Sequence, residues 1–194
     1  PIFGFSNITL KLQSVVNTPL WNFGLDDSKH IKCFKIGDNF EIIAPEIEGF
    51  SDQSNYEQLF YPTGILSITG YSKLFAIKNK DNNGKYIYMF DINNSDSKCS
   101  LSFHKTSEIN SKKINQIATS GNDIYVATGD IGLVKINNND EVNSSSGNVP
   151  QNITDIILNR NTLYAISDKG LHIFNGPDFI NEKPNLYLIH PYLV

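Results

Sequence analysis

The sequence predicts an all-β chain built from repeated antiparallel sheets, and three observations carry that prediction. Apolar residues alternate over short runs with a period of two, as in Ile124-Tyr125-Val126-Ala127. Those runs are bounded by clusters of Asn, Asp and Gly, the residues that turn a chain tightly. One order of strands and turns then recurs along the chain, which fixes the architecture more firmly than any single segment does. No stretch sustains a helical period; the best helical candidate, around Asp52 to Phe60, is short and reads as an irregular connection.

The clearest copies lie in the second half. The run from Ile114 to Ile136 can be laid over the run from Ile153 to Phe174. Both read Ile-x-x-Ile, a polar turn, an aliphatic-Tyr pair, a second turn ending in Gly-Leu, and an alternating strand. A looser copy runs through Ile65-Leu66-Ser67-Ile68, Leu74-Phe75-Ala76-Ile77 and Tyr86-Ile87-Tyr88-Met89-Phe90. The loosest joins Leu20-Trp21-Asn22-Phe23, His30 to Ile36 and Phe40-Glu41-Ile42-Ile43. With Trp21, Ile65, Ile114 and Ile153 as equivalent starts, the spacings are 44, 49 and 39 residues. These bracket the roughly 40 to 50 residues of a propeller blade.

Both faces of the Asp123–Thr128 run are largely apolar, as expected of a sheet held between neighbours rather than one with a wet face. Gly121-Asn122-Asp123 and Asp168-Lys169-Gly170 supply the hairpin turns. The expectation is therefore one β-propeller-like domain over residues 1–194, with blades starting near 20, 65, 114 and 153. It is either a four-bladed ring or a four-blade portion of a larger one. Ile8 to Gln13 and Leu186 to Ile189 are the two strands that could complete the last blade, and the apolar ending Pro191-Tyr192-Leu193-Val194 reads as a cut.

Tyr125-Val126-Ala127-Thr128-Gly129-Asp130-Ile131-Gly132-Leu133, echoed by Tyr164 to Leu171, resembles the blades of LVIVD-type and two-component-regulator-type propeller repeats. The likeness covers mainly residues 114–194. It implies a fold and carries over no catalytic residue.

Composition bounds the function. Hydrophobic residues at 40% and charged residues at 19% are those of a folding globular chain. A net charge of −4, with Lys112-Lys113 as the densest basic cluster, argues against nucleic acid as a partner. No apolar run is long enough to span a bilayer as a helix. A chain opening on Pro1 reads as processed or trimmed, and a secreted, periplasmic or surface-exposed setting is favoured over the cytoplasm. Of the two cysteines, Cys33 and Cys99, unpaired thiols are the plainer reading and one disulfide the alternative. Matches to N-x-[ST] at Asn7, Asn93, Asn143 and Asn152 read as chance in an Asn-rich chain.

Chemistry is thinly advertised. His30, His104, His172 and His190 share no chelating spacing, and His172 reads as a packed or edge histidine on a strand. Asn79 to Gly84 nearly fits a calcium loop, yet Phe90 stands where the bidentate Glu belongs, so an ordinary turn is expected. Glu46, Glu48 and Glu57 read as solvated loop residues rather than a glycosidase pair. No nucleophile elbow, phosphate loop or dinucleotide fingerprint is present, so no cofactor or metal is implied.

The remaining lead is aromatic. Trp21, Phe50, Tyr56, Phe60, Tyr61 and Tyr71, with Tyr192, lie at or near turns and connections, where amphipathic rings form contact surfaces or pack hinges. The long connection from Glu46 to Gly64 is the first place to look for function. The expected role is a non-enzymatic binding or scaffold module that meets a protein partner or further blades, as an oligomer or complex subunit. A carbohydrate-binding propeller and a propeller hydrolase or lyase are the alternatives.

Overall fold

A computed structural model describes residues 11–37, 42–43, 46–50, 54–62, 72–80, 84–94, 98–144, 149–175 and 184–187. Among these residues there is no α-helix, and the strands form four antiparallel sheets of four strands each. In every sheet the strands neighbour one another in chain order, so each is a simple meander built from contiguous sequence. The all-β blade repeat expected from the sequence is what the chain forms. No helix among the described residues is long and apolar enough to cross a membrane.

The first sheet comprises β1 (Val15–Asn17), β2 (Asn22–Leu25), β3 (Ile31–Ile36) and β4 (Ile42–Ile43). The second comprises β5 (Gln58–Phe60), β6 (Ser72–Lys80), β7 (Gly84–Asn94) and β8 (Cys99–Ile109). The third holds β9 (Ile114–Ser120), β10 (Asp123–Thr128), β11 (Leu133–Ile136) and β12 (Val142–Ser144). The fourth holds β13 (Ile153–Asn159), β14 (Thr162–Ser167), β15 (Gly170–Asn175) and β16 (Asn185–Tyr187).

The third and fourth sheets open at Ile114 and Ile153, as the repeat predicts. The first two open earlier than residues 20 and 65, at Val15 and Gln58. Trp21-Asn22-Phe23 leads into the second strand of its sheet, because the three-residue β1 before it is too short to show alternation. The strand expected at Ile65 to Ile68 lies outside the described residues, as do Ile8 to Leu10 and Leu188 to Ile189. Leu186 belongs to β16, the outermost strand of the fourth sheet.

The turns explain why these strands end where they do. β9 and β10 are joined through Gly121, whose φ of +57° suits glycine, while Arg160 takes the matching place between β13 and β14 at +53°. Both connections leave two residues outside the paired registers, so successive strands fold back with their apolar faces aligned.

Three apolar cores join consecutive sheets. The first gathers Phe23, Leu25 and Ile31 of sheet one with Leu59, Leu74, Phe90 and Ile92 of sheet two. The second sets Phe75, Ile77, Ile87 and Met89 against Ile117, Ile124, Val126 and Val134 of sheet three. The third sets Ala118, Tyr125, Ala127 and Leu133 against Ile156, Leu158, Leu163, Ala165 and Phe174 of sheet four. The first strand of the fourth sheet, β13, lies beside β9 and β10 of the third. Such a series of face-packed meanders is compatible with a propeller-like repeat.

Cys33 and Cys99 are joined in a disulfide, which corrects the expectation of two unpaired thiols. Sixty-six residues separate them, so nothing local in the sequence signals the pairing. Packing sheet one on sheet two brings the β3 residue and the first residue of β8 together in the first core.

Candidate interaction face

Strand alternation gives the fourth sheet two faces. Ile156, Leu158, Leu163, Ala165 and Phe174 turn toward the third sheet and are buried. Asp155, Ile157, Tyr164, Ile166, Leu171 and Ile173 turn the other way. The register places Asp155 beside Ile166 and Leu171, and Ile157 beside Tyr164 and Ile173. Tyr187 of β16 adds to the same face by pairing with Leu171.

Among the described residues no sheet packs against that largely apolar outward face. Ile157 is 51% exposed, Ile166 39% and Tyr187 57%. An open groove of about 310 Å³ runs across it, lined by Asp155, Ile157, Asn159, Tyr164, Ile166 and Leu171. A contiguous apolar surface of this kind marks a contact site more often than an isolated exposed side chain does.

The repeat shows what the face is. Counting along the two matched copies, Ile157, Tyr164, Ile166 and Leu171 hold the places of Ala118, Tyr125, Ala127 and Leu133 in the third sheet. Those four residues are the ones with which the third sheet packs on the fourth. The outward face of sheet four is thus the repeat's own packing face, at the one position in the series where no described sheet lies against it.

The aromatic residues singled out from the sequence are used differently. Trp21 is 2% exposed, with the Lys35 ammonium 4.8 Å from its ring centre. Tyr56 is fully buried and meets Tyr88 and Phe90 edge to face, at 5.4 and 6.3 Å between ring centres. Phe50 is half-buried and meets Phe90 at 5.2 Å, and Tyr61 is half-buried against the same core. Phe60 is buried in the second core. Trp21, Phe50, Tyr56 and Tyr61 therefore come together as packing between sheets one and two; the buried rings of Trp21 and Tyr56 present no stacking face to a sugar or a partner. Tyr71 and Tyr192 lie outside the described residues.

The connection from Glu46 onward acts as a stitch. The Glu48 amide donates to the Cys99 carbonyl at 2.9 Å, and the Tyr56 amide to the Lys29 carbonyl at 3.0 Å. Glu48 pairs with Lys98 at 3.1 Å and Glu57 with Lys85 at 2.6 Å, so different lysines neutralise the two carboxylates. Glu46 is exposed. Asn79 closes the calcium-like loop's first end by hydrogen bonding to Glu57 and Lys85, and residues 81–83 lie outside the described set. No group of three or more His, Cys, Asp or Glu side chains among the described residues could hold a metal ion.

The histidines do not converge. His104 bonds Asp91 through Nδ1 at 2.9 Å, His30 sits in the Asp26 turn, and His190 is outside the described residues. His172 is 3% exposed, on the inner face where the third sheet has Val134, and its Nε2 lies 2.8 Å from the Ser167 hydroxyl. Burial holds its pKa below the usual histidine value, with the nearby Lys169 adding to the effect. Its Nδ1 has no hydrogen-bond partner, so the Ser-His contact lacks the third group that orients the base of a hydrolytic triad.

The exposed face leaves no local signal in the sequence. Where the third sheet has Ala118 and Ala127 the fourth has Ile157 and Ile166, but the second sheet has Phe60 and Ile77 buried at the same places, so side-chain size does not mark the open face. No protein-family model matches the chain, and no curated protein matches it.

Proposed function

We propose that the chain is a non-enzymatic binding and scaffold module, an arc of propeller-like blades whose contact surface is the outward face of the fourth sheet. The observation that carries this reading is the equivalence of Ile157, Tyr164, Ile166 and Leu171 with the residues that join sheet three to sheet four. A face shaped by repetition to receive another β-sheet is a ready docking surface for protein. The Gly-Leu hairpins at Gly132-Leu133 and Gly170-Leu171 support a place near the LVIVD-type or two-component-regulator-type blades. The Cys33–Cys99 disulfide supports a secreted or surface setting, since structural disulfides persist where the surroundings are oxidising.

Capture from native extract tests the reading. The native chain is expected to retain partners that the Ile157→Asp, Ile166→Asp double variant loses, because two carboxylates would have to be desolvated in the contact. Identical retention by both proteins would refute it.

A further inference from the structure

Every junction inside the chain joins two kinds of face. The trailing face of one sheet meets the leading face of the next. Ala118, Tyr125, Ala127 and Leu133 form the trailing face of sheet three, and Ile156, Leu158, Leu163 and Phe174 are prominent on the leading face of sheet four. Junctions two to three and one to two follow the same order. A series of four sheets then leaves one trailing face, on sheet four, and one leading face, on sheet one.

On the leading face of sheet one Leu12 lies over Gly24, while Val15 and Ile36 beside it are exposed. Phe23, Leu25, Ile31 and Cys33 turn toward sheet two, so alternation turns Val15, Asn22, Lys32, Phe34 and Ile36 the other way. Val15 is 50% exposed and Ile36 62%. Ile36 and Val15 at one end of the series and Ile157 and Ile166 at the other all remain exposed, so the chain's own two end sheets do not cover each other at these residues. Lys32 of the leading face already pairs with Asp26 of the same sheet at 3.5 Å, so charge does not select the partner.

We propose that the trailing face of sheet four takes the leading face of sheet one of a second copy of this chain, head to tail. The proposal rests on the binding-module reading and names its partner. Two observations favour a second copy over an unrelated protein. The contact continues three junctions of the same polarity, and the chain itself carries the kind of face that is missing. Two copies joined at both ends would satisfy all four free faces in a closed arrangement.

The test is the solution mass of the full chain by light scattering, with Ile36→Asp and Ile166→Asp made singly and their folding checked by circular dichroism. Both positions are exposed, so each variant is expected to fold. The native chain should have at least twice the monomer mass, and each variant should fall to the monomer. Mixing the two variants should restore a two-copy species, because the intact trailing face of one meets the intact leading face of the other. A monomeric native chain overturns the proposal, as does loss of assembly in Ile166→Asp alone, or no recovery on mixing. If the native chain is monomeric but Ile166→Asp still abolishes capture from extract, only the second-copy proposal falls. If the substitution changes neither mass nor capture, the binding-module reading falls with it.

Discussion

Tyr125 in the third sheet and Tyr164 in the fourth stand at the same register position on the same kind of strand, yet the first is 1% exposed and the second only half-buried. Their strand neighbours diverge in step. The third sheet has Ala118 and Ala127, pressed by the fourth sheet; the fourth has Ile157 and Ile166, pressed by no described residue of the opposite end. Burial at these positions is therefore decided by what lies across the face and not by the residue's own strand.

The largest test of this comparison places the same charge at matched positions. Ala127→Asp buries an unpaired carboxylate between two sheets and is expected to cost about 4 kcal/mol in urea unfolding. Ile166→Asp, on the open face, is expected to cost less than about 1 kcal/mol in the monomer. Equal losses would mean that both faces are covered in solution.

The junction between sheets one and two differs from the other two in being covalently tied. Replacing both cysteines, Cys33→Ala with Cys99→Ala, is expected to remove about 3 kcal/mol of stability, and hydrogen exchange should show the loss first in β2, β3 and β5. Uniform loss across all four sheets would show that the junctions unfold as one unit.

A smaller effect separates the inner faces of sheets three and four. His172 stands where sheet three has Val134, and its folded-state pKa lies below the unfolded value. The folded chain therefore holds fewer protons than the unfolded chain as the pH falls through the ordinary histidine range. Stability is full above that range and is lost on acidification below about 6.5. His172→Val should flatten this acid limb, read as the melting temperature between pH 7.5 and pH 5. An unchanged slope would place the proton uptake elsewhere.

Much of the architecture was legible because it is written locally. Ile-x-x-Ile, the Gly-Asn-Asp turn and the Gly-Leu hairpin each report a period or a turn within a few residues, and sheets three and four open at the expected isoleucines. Sheet one was displaced by one strand because Val15-Val16-Asn17 is too brief to carry a period. The exposed face was harder to find because burial is a tertiary quantity. Trp21 and Tyr56 sit near turns, as amphipathic contact residues often do, but the following sheet closes over them. Ile157 and Ile166 look like core residues and are exposed. The disulfide joins strands of different sheets and leaves no local trace.

The span between Cys33 and Cys99 has a consequence for how the molecule is made. The first cysteine leaves the ribosome 66 residues ahead of its partner, so sheet one cannot be locked while it is the only sheet synthesised. Oxidation becomes productive only after β8 has begun, when the second sheet is nearly complete and can hold the two sulfurs side by side. The bond therefore fixes the first junction covalently once both sheets are in place, while the two later junctions rest on apolar packing.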